Sequence, residues 1–306
     1  MSSGDLVVDT DRVTAEVANQ LRLAEVESAG AGLEFIVFRA VSRQHGPLAL
    51  RVPRYVVYRT PGEIPMPSSR LLQQEMLLYG LLGQADFPVP EPIQLVVAAG
   101  VHVLVSRFVE SDGRPPEPEA AGAALAALHA LPVPALDLVT HQDGHAAIGM
   151  ASRLRRRWQR IQARVADVPD LPTSLTTELL ASLNVSPCLL HLDFRSCNLL
   201  SYGGALRAIV DWSCAMLAHP ACELARLQEF ARLPENAIDL RAMLRGYRRV
   251  RPVPLVDRRV EILLRLDAVS MLAIVFGDTA PDPSRAESIT DRLRELVAEL
   301  PRRGEQ

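Results

Sequence analysis

The sequence predicts an α+β chain in two lobes, a small one built on a sheet and a larger, mostly helical one. Three observations lead there. Strand-like apolar runs crowd the first third of the chain. A polar, proline-rich stretch from Val109 to Pro118 then interrupts the pattern. Beyond it, apolar positions recur at helical spacing almost to the end, apart from two short central strands. The expected boundaries are 1–105 for the first lobe, 106–118 for a hinge and 119–306 for the helical lobe. A cleft between such halves is where a ligand site is expected.

Each element has its own warrant. Val13, Val17, Leu21 and Ala24 lie at helical spacing behind Asp9 or Thr10 as N-cap, which predicts a helix over 10–27, broken by Ser28 to Gly32. Leu33–Val41 and Pro47–Tyr58 read as strands around a Gln44-His45-Gly46 turn. Residues 59–69, rich in Pro, Gly and Ser, read as a loop, and Arg70–Gly83 as a helix. Pro88, Pro90 and Pro92 end that helix and open a hairpin, Ile93–Ala98 and Val101–Phe108, around Ala99-Gly100. Helices are then expected over Ala120–Leu131, Ser152–Val165, Leu175–Leu183 and most of the chain from Glu223. The two central strands lie around Leu189–Leu190 and Ala208–Val210.

Bulk properties exclude several classes. A net charge of −3 gives no electrostatic footprint for nucleic acid. No apolar run has membrane-spanning length, so the expectation is a soluble cytoplasmic protein, monomeric or homodimeric. Cys188, Cys197, Cys214 and Cys222 lack metal-site spacing and read as reduced thiols. The chain has no lysine: all 33 basic residues are arginines. Any task that wants a cation falls to a planar fork rather than a point charge.

The chemistry concentrates in His191-Leu-Asp-Phe-Arg-Ser-Cys-Asn-Leu-Leu200 and Ile209-Val-Asp-Trp212. Phosphoryl transfer asks little of a protein beyond a carboxylate to orient the acceptor and oxygen ligands for metal on the nucleotide phosphates. Asp193, in a turn after an apolar strand, is the candidate for the first. Asn198 and Asp211 are candidates for the second, since Mg²⁺ takes one or two carboxylates with phosphate oxygens and water. Arg195 adds positive charge near a migrating phosphate. The competing reading has Asp193 capping a turn and Asn198 bonding its own loop. His191 reads as a structural hydrogen-bonding residue, and His129, ending an apolar helix, as packed or C-capping. Arg51 interrupts an apolar strand and needs a partner, for which Glu75 on the next helix is the candidate. Ser106, Arg107, Phe108 and Val109 come after the hairpin, where backbone groups could meet a nucleotide base. Gly30 and Gly32 are as consistent with a plain turn as with a phosphate loop.

These motifs resemble the aminoglycoside phosphotransferase family, which includes macrolide kinases and has the bilobal protein-kinase-like fold. His191 to Leu200 is similar to its His-Gly-Asp loop, Ile209 to Trp212 to its Ile-(Ile/Val)-Asp segment, and Ala218 to Ala225 to its Gly-Asp-Pro-x-x-Asp-Leu-Ala stretch. Ala124 to Pro132, Leu50 to Pro53 and Phe87 to Pro92 match further family segments in the same order. The resemblance implies a kinase moving the γ-phosphoryl of ATP or GTP, with Mg²⁺, to a hydroxyl of an antibiotic-like acceptor. A metabolite kinase of the same fold is the alternative, and a non-catalytic pseudokinase a third reading. It also implies Asp193 as catalytic aspartate, Asn198 and Asp211 as metal ligands, Arg51 with Glu75 as the nucleotide-positioning pair, and Arg195 near the γ-phosphate. Glu223 stands where the family has an aspartate that braces the catalytic loop. Leu192 and Cys197 replace glycines of that loop, so its backbone must either take φ/ψ values open to residues with a Cβ or carry some strain. The acceptor pocket is expected around Asp267 to Asp282.

Overall fold

A computed structural model describes residues 7–60, 63–132, 134, 136–141, 146–166, 168–183 and 187–300. Residues 61 and 62 of the 59–69 loop, and both chain ends of the expected lobes, lie outside this set. In chain order the elements are α1 (Thr10–Leu21), β1 (Ala24–Ala31), β2 (Phe35–Ser42), β3 (Gly46–Pro53), β4 (Val57–Tyr58), β5 (Met66–Pro67), α2 (Ser68–Gln84), β6 (Pro92–Ala98) and β7 (Val101–Arg107). Then come α3 (Pro118–Ala130), α4 (Ala146–Gln162), α5 (Leu175–Ser182), β8 (Cys188–Leu190), β9 (Leu199–Tyr202), β10 (Ala205–Ile209), β11 (Met216–Ala218), α6 (Ala221–Phe230), α7 (Leu240–Val250), α8 (Arg258–Ile274) and α9 (Pro283–Glu299). The expected α+β class is therefore the observed one.

The chain forms two compact units. The first comprises residues up to Arg59, Pro65–Pro116 and Cys197–Ser213; the second comprises Thr60–Ile64, Glu117–Ser196 and everything from Cys214. The first unit is a five-stranded antiparallel sheet in the order β1-β2-β3-β7-β6, joined by α1, α2 and the β9–β10 hairpin. Strand alternation sends Leu48, Leu50 and Val52 of β3 into a core with Val13 and Val17 of α1 and Val103 and Val105 of β7.

One expectation is corrected here. The first helix stops at Leu21, not near residue 27, because Arg22 takes the left-handed conformation and its N–H turns back to Ala18 and Asn19 carbonyls. The chain then enters β1, an edge strand whose side chains are all exposed. Its strand character comes from pairing with β2 rather than from its own apolar pattern. Gly30 sits within that pairing, and the Gly32 N–H bonds to the Phe35 carbonyl to close the turn into β2.

The second unit packs helices around Trp158, Leu190, Leu263, Leu266 and Leu293, with β8 and β11 paired inside it. Asp239, Asp257 and Asp282 cap α7, α8 and α9, each accepting a backbone N–H of the first turn. Helices α3 and α7 approach at backbone distance. A Cβ on Gly122 would lie 1.8 Å from the Met243 carbonyl oxygen, and one on Gly246 1.9 Å from that of Glu119. Among the described residues no helix is long and apolar enough to cross a membrane.

Candidate active site

Within the first unit, Arg51 lies in mid-β3 between Val37 and Leu104 on the neighbouring strands. Its guanidinium serves two carboxylates. Nη2 donates to Asp211 Oδ1 at 2.7 Å, and Nε stands 2.9 Å from Glu75 Oε2, an ion pair off the line of a directed hydrogen bond. The guanidinium also lies over the Phe35 ring, 4.2 Å from its centroid. Glu75, on α2, is only 1 % exposed. Its Oε1 accepts from the Tyr79 hydroxyl at 2.6 Å and the Asp211 backbone N–H at 3.3 Å. Burial pushes the Glu75 carboxyl up, and Arg51 pulls it part of the way back. Burial also opposes the Arg51 charge, but Asp211 and Glu75 outweigh it and raise its pKa.

The β9–β10 hairpin sets Asn198 beside the approach to Asp211. Leu199 pairs with Ile209, and the Val210 N–H donates to the Asn198 carbonyl at 3.0 Å. Gly203 and Gly204, both at positive φ, make the tight turn. Asp211 itself has φ 65°, and its Oδ1 accepts from Ser213 Oγ at 2.5 Å. Gln74 of α2 donates to the Trp212 carbonyl at 2.7 Å, which ties this segment to the helix carrying Glu75. An amide oxygen and a carboxylate, with phosphate oxygens and water, fit the donor preference of Mg²⁺. Ser106 and Arg107, expected after the hairpin, instead lie within β7, paired with Ala49 and Leu48 of β3; Phe108 and Val109 leave the sheet. The Arg107 N–H bonds to the Glu91 carbonyl and the Phe108 N–H to that of Pro47, so Val109 is the first residue beyond these strand bonds.

Within the second unit, the loop after β8 carries Asp193, whose side chain is 17 % exposed. Arg195 grips it as a fork, Nε to Oδ1 at 2.8 Å and Nη2 to Oδ2 at 3.1 Å. His191 is buried and its Nδ1 accepts the Asp193 N–H at 3.1 Å, a structural hydrogen bond. Leu192, between them, has φ 61° and is 3 % exposed. For a residue with a Cβ this backbone costs about 1–2 kcal/mol. The Glu223 carboxylate accepts the N–H groups of His191 at 3.0 Å and Leu192 at 2.6 Å. His129 bridges Glu223 and the Tyr247 hydroxyl, each at 2.9 Å. Burial alone would raise the Glu223 carboxyl; the His129 bond and charge bring it below its ordinary value.

The acids expected to line an acceptor pocket are engaged elsewhere. Asp267 is 5 % exposed and takes a bidentate bond from Arg153 and another from Arg157, with Arg226 at 3.7 Å. Asp278 is held by Arg160 of α4 and by Arg164 just beyond the end of that helix.

A family model described as "Phosphotransferase enzyme family" matches residues 25–258. The chain belongs to that family. By the description of that model, its members are phosphotransferase enzymes. Solved structures of similar fold include "Macrolide 2'-phosphotransferase type I", at 17 % identity and TM-score 0.54 over 94 % of this chain and 98 % of that one. A thermostable mutant of aminoglycoside phosphotransferase APH(4)-Ia, in ternary complex with AMP-PNP and hygromycin B, has 16 % identity and TM-score 0.58, covering 90 % of this chain and 94 % of that one. ADP-bound APH(2'')-Ib has 16 % identity and TM-score 0.55, over 96 % and 99 %. A curated relative, "Acyl-CoA dehydrogenase family member 11" of Gallus gallus, is 27 % identical over 198 residues, which is 58 % of this chain. The match spans only 25 % of that relative's length.

Several residues of this candidate site escape a reading of the sequence. Tyr79 is four residues after Glu75, one helical turn away, and that spacing was a usable signal. Phe35, Ser213 and Arg226 carry no comparable local mark.

Proposed function

We propose that the chain transfers the γ-phosphoryl group of ATP or GTP to a hydroxyl of a small antibiotic-like acceptor. One arrangement carries the reading: a single arginine, Arg51, with only 12 % of its side chain exposed, joined to both Glu75 and Asp211. Asp211 thus belongs to the nucleotide-positioning pair and, with Asn198, to the metal-ligand set. In this proposal 1–105 is the nucleotide-binding lobe, 106–118 the hinge, and 119–306, apart from the Cys197–Ser213 segment of the first unit, the lobe that takes the acceptor. Mg²⁺ held by Asn198 and Asp211 would neutralise phosphate charge. Phosphate oxygens would compete with Asp211 for the Arg51 guanidinium, while Ser106 to Val109 would offer backbone to the base, Val109 foremost. Arg195, turning its fork from Asp193 to the γ-phosphate, would free that carboxylate to orient the acceptor hydroxyl.

A specific observation favours a second reading of the acceptor. Asp267 and Asp278 already face arginines, so that region offers little to a polycation. A metabolite or biosynthetic intermediate, neutral or anionic, suits it better than an aminoglycoside. Incubation with Mg²⁺, ATP or GTP and pooled hydroxylated compounds of each charge class separates the two by which pool gains a phosphate mass. Titration calorimetry tests the premise. Nucleotide binding should require Mg²⁺ and weaken about tenfold or more in Asp211→Asn, given a lost metal ligand; absence of nucleotide binding sinks the kinase reading.

A further inference from the structure

We infer that Arg226 is a positioning residue, which together with Glu223 forces Leu192 into its left-handed conformation and so sets the direction of Asp193. The inference rests on the reading of Asp193 as the acceptor-side carboxylate.

The two dihedrals of a residue are set by the orientation of the peptide planes on either side of it. Both planes flanking Leu192 are held by α6. Glu223 Oε1 accepts the Leu192 N–H at 2.6 Å, which fixes the plane before it. Arg226 Nη1 donates to the Leu192 carbonyl at 2.6 Å, which fixes the plane after it. Glu223 and Arg226 are three residues apart on one helix, so they face the loop together. The plane that Arg226 holds is the one bearing the Asp193 N–H, and that N–H closes on His191 Nδ1. A glycine at 192 would adopt φ 61° without help; a leucine needs its planes held.

Arg226 is itself rigidly placed. It is 5 % exposed, 6.0 Å from the Phe230 ring centroid and 3.7 Å from Asp267, which also binds Arg153 and Arg157. The leucine side chain is anchored in the core of the second unit, which resists relaxation of the loop from the other side.

The test is a double-mutant cycle on the full chain with Arg226→Met, Arg226→Lys, Leu192→Gly and Leu192→Ala. Alanine and glycine both lack the leucine side chain, but only alanine keeps a Cβ, so their difference isolates backbone strain from burial. With an acceptor in hand, Arg226→Met should lower kcat about ten- to a hundredfold, as misplacement of a catalytic group does, with the nucleotide KM nearly unchanged. Arg226→Lys should restore part of it. In the Leu192→Gly background the same Arg226→Met step should cost about fivefold less, a coupling expected of residues in direct contact; in Leu192→Ala it should cost as much as in the wild type. Equal losses in all backgrounds, or an unchanged kcat, overturn the inference. Thermal unfolding of the same variants supplies an arm independent of turnover. The midpoint drop on Arg226→Met should shrink with glycine at 192 and not with alanine, and a drop of the same size in both contradicts the clamp. A wild type that binds no nucleotide but passes this arm dismisses the kinase reading and leaves the clamp standing.

Discussion

Arg51→Met removes the cation that Glu75 and Asp211 share in the first unit. Glu75, 1 % exposed, then keeps only the Tyr79 hydroxyl and the Asp211 N–H as partners. Leaving one member of a buried ion pair alone costs about 3–5 kcal/mol. Asp211 adds little, because its side chain is 31 % exposed and solvent screens it. For a protein of this size the loss lowers the thermal midpoint by roughly 5–15 °C. The effect should depend on pH with a definite sign. A carboxyl raised in the folded state contributes stability that is fully present below its ordinary value of 4.5 and lost as pH rises. Without Arg51 the Glu75 carboxyl rises further, so the variant should be less impaired at pH 5 than at pH 8. Arg51→Lys, a single ammonium that cannot span both acids, should recover most of the stability but little of the nucleotide affinity. Urea unfolding at pH 5 and pH 8 checks this. A loss under about 1 kcal/mol at both, the range of a surface pair, would refute the reasoning.

Two other perturbations read the second unit. Gly122→Ala should force α3 and α7 apart, since the new Cβ would sit 1.8 Å from the Met243 carbonyl oxygen; the cost should be about 1–3 kcal/mol or more by chemical denaturation, and a neutral result would contradict the close crossing. Burial works against the Asp267 charge, but Arg153, Arg157 and Arg226 hold its carboxyl far below the ordinary 3.8. A depressed acid contributes stability above that ordinary value and loses it as pH falls towards the folded value. Asp267→Asn should therefore destabilise by about 3–5 kcal/mol at pH 7 and flatten the fall in stability expected of the wild type below about pH 4; parallel acid limbs would argue against it.

How much of the molecule was legible in the sequence depends on where each signal is encoded. Helix α2 and the β6–β7 hairpin came out within a few residues because apolar periodicity and prolines mark them locally. Strand β1 did not, since its exposed side chains carry no pattern and its partner β2 supplies the bonds. Strands β9 and β11 were not read, although β9 follows directly on Asn198, whose carbonyl takes the Val210 N–H. Arg51 and Glu75 could be paired from the sequence, because a charge in an apolar strand must find a counter-ion and α2 is the next helix. That Asp211, 160 residues along, shares the same guanidinium could not, nor could the strain at Leu192 be matched to Arg226. The arginine face of α4 was visible as a charged stripe, but its closure on Asp267 and Asp278 depends on how α8 packs.

Transfer itself is the central claim, and one comparison reads it directly. Wild type and Asp193→Asn are each given Mg²⁺, nucleotide and the acceptor pools, and products are weighed. The expected result is a gain of one phosphate in wild type, a loss of rate of about 10²–10⁴-fold in the variant, and nucleotide affinity kept in both. Nucleotide bound by both proteins, with product formed equally fast by Asp193→Asn, would contradict it.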